Sequence, residues 1–422
     1  MSTSSDYKKN TASFPVSAFG IAPARDASAV GRANRSTVLR ATRWHGPVSR
    51  RQLSEVTGLG SATVFSIVDE LTTIGLLVDD GIGESTGGRK PTLYRFNPEA
   101  FYAVGVDVGG MGNLRTALTD LDGNVLSRVI SQIPVDALPD LLIERIATAT
   151  DQAAEKAGIE KENIKGIGVA MNGKTDIANG VVLYDARRVW PDLPVPLARM
   201  ITEEIGIPGY VVNHSNAIPL GEKWCGAGRD LDTFVCVNVG VNVGAGMILD
   251  GKLYTGSTNL AGQLGHTVVD ENGPLCWCGK HGCTGTVAGG DAIVKRVIRD
   301  IRLGASSSIS SLVNGRLDLV RPAVIAQAAS GGDPYAVQVV QDVGRYLGIG
   351  VALLNNLFNP QAVLVGGSIV QAGDVLFQAI RQAAAARSVT EIADVPIMPV
   401  GLGVEARAVG AAIVVLERQL TL

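Results

Sequence analysis

Four residues near the middle of the chain have the types and spacing of a metal site. His266, Cys276, Cys278 and Cys283 form the pattern H-x9-C-x-C-x4-C. That set supplies one imidazole nitrogen and three sulfurs, the donors of a closed, tetrahedral structural zinc, one per chain. Gly279 and Gly282 stand where the loop must turn to gather the sulfurs. A second imidazole, His281, competes for the nitrogen position, but its place inside the loop points it away. The plain alternative is three reduced thiols without an ion. Only five cysteines occur in 422 residues and three of them crowd here, which excludes a secreted disulfide framework.

A second set of candidates sits on glycine turns. An apolar run ends at Asp107-Val-Gly-Gly110 and another at Gly240-x-x-x-Gly244-Ala-Gly246, and each hairpin closes on an Asp-Gly turn, Asp122-Gly123 or Asp250-Gly251. Helical stretches follow both, at Leu138–Ala157 and Ala336–Asn356. The repetition predicts an internal duplication: two α/β lobes, about 98–215 and 216–422, with a cleft between them.

Ahead of this region lies a different kind of element. A helix is predicted over Ser36–Trp44, and Ser49 caps a second with Gln52 reaching back to it. Leu53 and Val56 are expected inside, Gly58 ends this helix, and Ser61 is expected to cap a third whose Val64, Ile67, Val68, Leu71 and Ile74 follow the helical period. The strand from Leu76 and the return strand Thr92–Phe96 make a hairpin, so residues 30–97 read as an α+β winged helix-turn-helix. Ser61, Ala62, Thr63, Phe65 and Ser66 are left for a major groove, while Arg50, Arg51, Arg89 and Lys90 suit phosphates. A protein-docking module is the competing reading of the same fold. Charge favours nucleic acid: residues 1–97 hold 12 Lys and Arg against 8 Asp and Glu, net +4, although the whole chain is −3. Phe65 and Ser66 leave base preference unreadable.

Residues 1–29 mix polar residues with Pro15 and lack a signal-peptide centre. They read as a flexible leader. No apolar run approaches the ~20 residues of a membrane span, so a cytoplasmic protein is expected.

The winged helix, Asp107-Val-Gly-Gly110, the Gly240–Gly246 turns, Ala261-Gly-Gln-Leu-Gly-His266 and the Cys-Trp-Cys-Gly-Lys-His-Gly-Cys run together resemble the ROK family of repressors and sugar kinases, over nearly the whole chain beyond the leader. The resemblance implies an actin-like, two-lobed ATPase fold with a sugar in the cleft, preceded in the repressor branch by a winged helix. It also implies that the zinc loop presents sugar-binding residues, among them Gln263 and His266, with Arg187, Asn213 and His214 lining the same ligand groove from elsewhere in the chain.

Against the family pattern this chain departs where phosphoryl transfer needs it most. The family's Asn-Asp-Ala-Asn reads Asn213-His214-Ser215-Asn216, with His214 at the base position. Its Gly-Gly-Thr-Lys reads Gly109-Gly110-Met111-Gly112, and its Gly-Thr-Gly reads Gly240-Val241-Asn242. Gln263 and Gly285 replace two glutamates, and Arg187 stands where an asparagine is expected. Arg187 and Gln263 would suit an acidic or phosphorylated sugar, although Arg187 alone is equally a solvated loop charge. The expectation is a sugar-responsive repressor with no catalytic residue, binding a near-palindromic DNA operator as a homodimer or tetramer. An active ATP-dependent sugar kinase with an appended winged helix is the alternative.

Overall fold

The computed structural model describes residues 27–84, 90–109, 112–185 and 189–420. The chain divides into two compact units, parted in sequence between Phe96 and Asn97. The first contains α1 (Ala27–His45), β1 (Val48–Ser49), α2 (Arg50–Thr57), α3 (Ser61–Thr73), β2 (Leu77–Ile82) and β3 (Thr92–Phe96), with the strands in the antiparallel order β1-β3-β2. Ser49 and Gln52 form a reciprocal capping box at the start of α2, and Gly58 ends it in the left-handed conformation at φ 69°. The cap of α3 is Gly60, so Ser61 is its first helical residue rather than its cap. Leu53, Val64, Ile67, Val68 and Leu71 are buried, but Val56 and Ile74 are 54% and 56% exposed. The eight-residue α2 presents a single inward position, and Ile74 lies past the last helical residue, where the period no longer carries it inward. Since α1 begins at Ala27, the end of the expected leader belongs to a helix; residues 1–26 lie outside the described residues.

The second unit holds two sheets of the same plan. Strands β4 (Tyr102–Val108), β5 (Asn113–Thr119), β6 (Val125–Gln132), β7 (Ile164–Met171) and, after the small hairpin β8 (Gly173–Asp176) and β9 (Val181–Asp185), β10 (Gly209–Asn213) are ordered β6-β5-β4-β7-β10. Strands β11 (Phe234–Val239), β12 (Val243–Leu249), β13 (Lys252–Tyr254), β14 (Ala362–Gly366) and β15 (Ile397–Pro399) repeat it as β13-β12-β11-β14-β15. Each is a three-strand antiparallel meander extended by two parallel strands. The duplication seen in the glycine turns is therefore a duplication of topology.

Helices α4 (Pro139–Ala157) and α5 (Leu197–Ile205) share the core of the first sheet. Helices α6 (His214–Cys225), α7 (Thr284–Ala288), α8 (Gly290–Arg302), α9 (Ile309–Leu312), α10 (Pro322–Ser330), α11 (Pro334–Phe358) and α12 (Asp374–Ala385) follow; α8 to α12 contribute to the core of the second sheet. The last helix, α13 (Ala406–Leu420), turns back to lie on β4 and β7 and against α6, which itself lies on β11 and β12. Gly105 and Gly168 permit that approach: a Cβ at either would sit 1.8 or 1.9 Å from the carbonyl oxygens of Ala408 and Ala411. The fold is thus mixed α/β, and its C-terminal helix returns to the first sheet. No helix among the described residues is long and apolar enough to cross a membrane.

Candidate functional site

The metal ligands converge. The donor atoms of His266, Cys276, Cys278 and Cys283 all lie within 4.8 Å of one another. His266 Nδ1 is 3.5 Å from Cys276 Sγ, and Cys278 Sγ is 3.6 Å from Cys283 Sγ. A tetrahedral ion with metal–sulfur bonds of ~2.3 Å separates its sulfurs by about 3.8 Å, so these edges fit. Burial and the neighbouring thiols of Cys278 and Cys276 push the Cys283 thiol up to about 12, whereas the Lys280 backbone N–H leads the contacts that draw the Cys278 thiol down. Burial, aided by the charge of Lys280, holds the His266 imidazole below its ordinary value, in the neutral form a metal takes. His281 is turned aside, with Nδ1 3.1 Å from the Gly273 carbonyl. The loop is tied to the second lobe by the Tyr346 hydroxyl of α11, which donates to Asp270 at 2.9 Å.

At the start of α6, Asn213 and His214 each make contacts that reach other elements. Asn213 caps the helix by accepting from the Ser215 backbone N–H at 2.8 Å, and its amide donates to the Gly173 carbonyl. His214 is the first helical residue and is buried. Its Nε2 lies 3.0 Å from Asp107 Oδ1, while Arg407 Nε of α13 lies 3.3 Å from Oδ2. Neither contact is aligned as a hydrogen bond. Burial works to raise the Asp107 carboxyl, but Arg407, then His214, then Arg115 outweigh it and hold the group below its ordinary value. Arg407 carries no local sequence signal: 300 positions separate it from its partner.

The two losses at positions 242 and 285 prove to be one spatial event. A Cβ on Gly285 would lie 1.8 Å from Asn242 Oδ1, which also accepts the Val243 backbone N–H at 2.9 Å. The asparagine side chain fills the space that any side chain at 285 would need. Gly285→Ala is accordingly expected to cost about 1–3 kcal/mol by overpacking, and Asn242→Gly in the same chain to relieve most of it. Chemical denaturation of the four variants in a double-mutant cycle measures the coupling.

Tyr184 of β9 stacks on Trp277 of the Cys-Trp-Cys run, with ring centroids 6.4 Å apart and planes at 23°. Trp277 also meets His266 edge-on at 4.7 Å. The Trp277 ring thus links β9 to His266, a contact its position in sequence did not reveal. Gln263 is exposed just before the Leu264–His266 turn. Arg187, Gly110 and Met111 lie outside the described residues.

In the first unit, Ser61, Ala62, Thr63, Phe65 and Ser66 are all exposed along α3, and Lys90 is exposed before β3; Arg89 lies outside the described residues. Arg51 is 81% exposed and pairs with Glu55 one turn on. Arg50, expected at a phosphate, is engaged elsewhere. Its guanidinium donates to the Tyr94 hydroxyl from Nε and Nη2 at 3.1 and 2.8 Å, pairs with Asp69, and lies over the Phe65 ring at 4.9 Å and the Tyr94 ring at 5.1 Å. Arg51→Ala is expected to lower the salt slope of DNA binding by about 1, whereas Arg50→Ala lowers stability by about 1–2 kcal/mol and leaves that slope unchanged. Salt titration beside thermal melting separates the two.

The model of the ROK family matches residues 103–418, which takes in both sheets, the metal loop and the Asp107–His214 region. The chain belongs to the ROK family. The xylose repressor of Bacillus subtilis strain 168 is 30% identical over 397 residues, covering 93% of this chain and 97% of the relative. Among solved structures, a ROK family transcriptional regulator described as a homolog of the E. coli MLC protein superposes with a TM-score of 0.80 at 28% identity, over 93% of this chain and 99% of that one. A ROK family glucokinase from Streptomyces griseus, in complex with glucose and AMPPNP, gives 0.66 at 28% identity, over 74% of this chain and 98% of that one. The regulator matches are the ones whose span requires the first unit as well as the ROK region.

Proposed function

We propose that this ROK protein is a sugar-responsive transcriptional repressor in which a former kinase cleft has become a sensor. The observation that carries the reading is the buried Asp107–His214–Arg407 cluster: the group at the base position is an imidazole committed to a neighbouring carboxylate, where phosphoryl transfer needs a carboxylate open to the sugar hydroxyl. Similarity to repressors along 93% of the chain supports it. The winged helix binds duplex DNA, as a homodimer or tetramer on a near-palindromic operator. The metal is zinc, held by His266, Cys276, Cys278 and Cys283; it is structural, fixing the loop that carries Gln263 and His266 toward the sugar. Arg187, Asn213 and His214 complete the effector side, and the protein works in the cytoplasm. A sugar controls the operator only by binding the DNA-free and DNA-bound states with different affinity.

The test pairs two assays on the full-length protein. Gel shift with duplexes from its own locus is expected to give salt-sensitive binding that one class of sugar alters, while a coupled ATP assay over hexoses, pentoses and phosphorylated sugars stays at background. Turnover at ordinary kinase rates without duplex binding would replace this reading with the sugar kinase that the glucokinase likeness offers.

A further inference from the structure

Resting on the operator-binding reading, we infer that α3 recognises thymine by its C5-methyl group, with Ala62, Thr63 and Phe65 as the contacts and Arg50 as the residue that positions Phe65. The first two turns of α3 expose Ser61, Ala62, Thr63, Phe65 and Ser66. None carries a guanidinium, ammonium or carboxamide, so the bidentate pairings that single out guanine or adenine are unavailable to them. Serine and threonine hydroxyls pair with any base edge and discriminate little. What remains is apolar: the Ala62 methyl, the Thr63 methyl and the Phe65 ring. The thymine methyl is the one apolar feature of the major groove.

The surroundings of Phe65 fit this use. The ring is 48% exposed on a helix whose other large apolar residues, Val64, Ile67, Val68 and Leu71, are buried. It is held by the Arg50 guanidinium 4.9 Å from its centroid. Arg50 is fixed in turn by the Tyr94 hydroxyl on β3 and by Asp69. The cage therefore sets the ring from α2, α3 and the wing strand at once. It also pairs the outward Asp69 carboxylate, which would otherwise repel phosphates or accept from a cytosine amino group.

The test uses full-length protein and a duplex selected from a random pool, read by fluorescence anisotropy at one salt concentration. Each dT of the selected site is replaced singly by dU, which removes the methyl and keeps the base pair. Wild type is expected to lose about fourfold affinity at one or more positions in each half-site, the worth of one buried methyl. Phe65→Ala is expected to bind the dT and dU duplexes alike at one of those positions. Arg50→Ala narrows the dT/dU ratio there while leaving the ratios at other positions in place, which a general loss of stability would not do. A selected duplex that binds tightly but shows equal dT and dU affinity at every position overturns the inference and leaves the operator reading standing. So does a Phe65→Ala protein with all wild-type ratios intact. If no duplex is selected, the operator reading itself falls, and this inference with it.

Discussion

Cys283→Ser is expected to empty the metal centre: zinc measured by mass spectrometry falls from one per chain to background, and the sugar response disappears while duplex binding persists. Cys283 is fully buried and leads directly into α7. Three of the four donors would remain, but a structural zinc site needs all four to close its tetrahedron. Loss of a metal belongs to the small class of changes that cost on the order of 4 kcal/mol or more. Here the cost is local. The backbone ties Val269 and Asp270 to Gly282 and joins Thr284 to Thr267, so releasing the loop frees Gln263 and His266 and breaks the Trp277 contact with Tyr184. The first core holds no residue of the segment 264–288 and the second takes Leu264, Val287 and Ala288 from its ends, so melting of the cores is expected to change less than hydrogen exchange over residues 265–286. Chelation of the wild type should reproduce the phenotype, and re-addition of zinc should reverse it. Full sugar response in a zinc-free protein would remove the loop from the effector site.

The convergence of His266, Cys276, Cys278 and Cys283 was legible because all four lie within one loop, so spacing alone implies proximity. The capping box at Ser49 and Gln52 was legible for the same reason, and the repeated Asp-Gly hairpins gave the two sheets their common meander. What sequence could not convey were contacts between distant segments. Arg407 reaches Asp107 only because α13 returns across β4, and nothing near either residue announces it. Arg50 reads as a phosphate contact by charge and position, yet Tyr94, 44 residues away, and Asp69 claim its guanidinium. Asn242 and Gly285 read as two separate losses from the family pattern. In space the first fills the room vacated at the second, a compensation that periodicity and composition have no means to express.

His214→Asp, which restores the family's residue at the base position, is expected not to restore phosphoryl transfer and to cost about 3–5 kcal/mol, the range for leaving a buried charge uncompensated. The variant places a second carboxylate beside Asp107, 1% exposed, with Arg407 and Arg115 left to balance both. The pH dependence makes this separable from a simple packing defect. In the wild type the folded-state value of Asp107 is lowered, so its contribution is complete above the unfolded value of about 3.9 and is lost only as pH falls through the lower folded one. In the variant, two like charges at close range raise one of the pair. The folded state then binds more protons than the unfolded chain, and stability must fall as pH rises from about 4 toward 7. Urea denaturation across that range is therefore expected to slope downward for His214→Asp and not for His214→Asn, which removes the imidazole without adding charge. Arg407→Met supplies the complement by taking away the strongest cation beside Asp107, and should lose stability near neutral pH while His214 remains. A His214→Asp protein that is as stable as wild type at neutral pH and phosphorylates a sugar would mean that Asp107 and Arg407 still leave room for catalysis, and that a single imidazole separates this sensor from its kinase relatives.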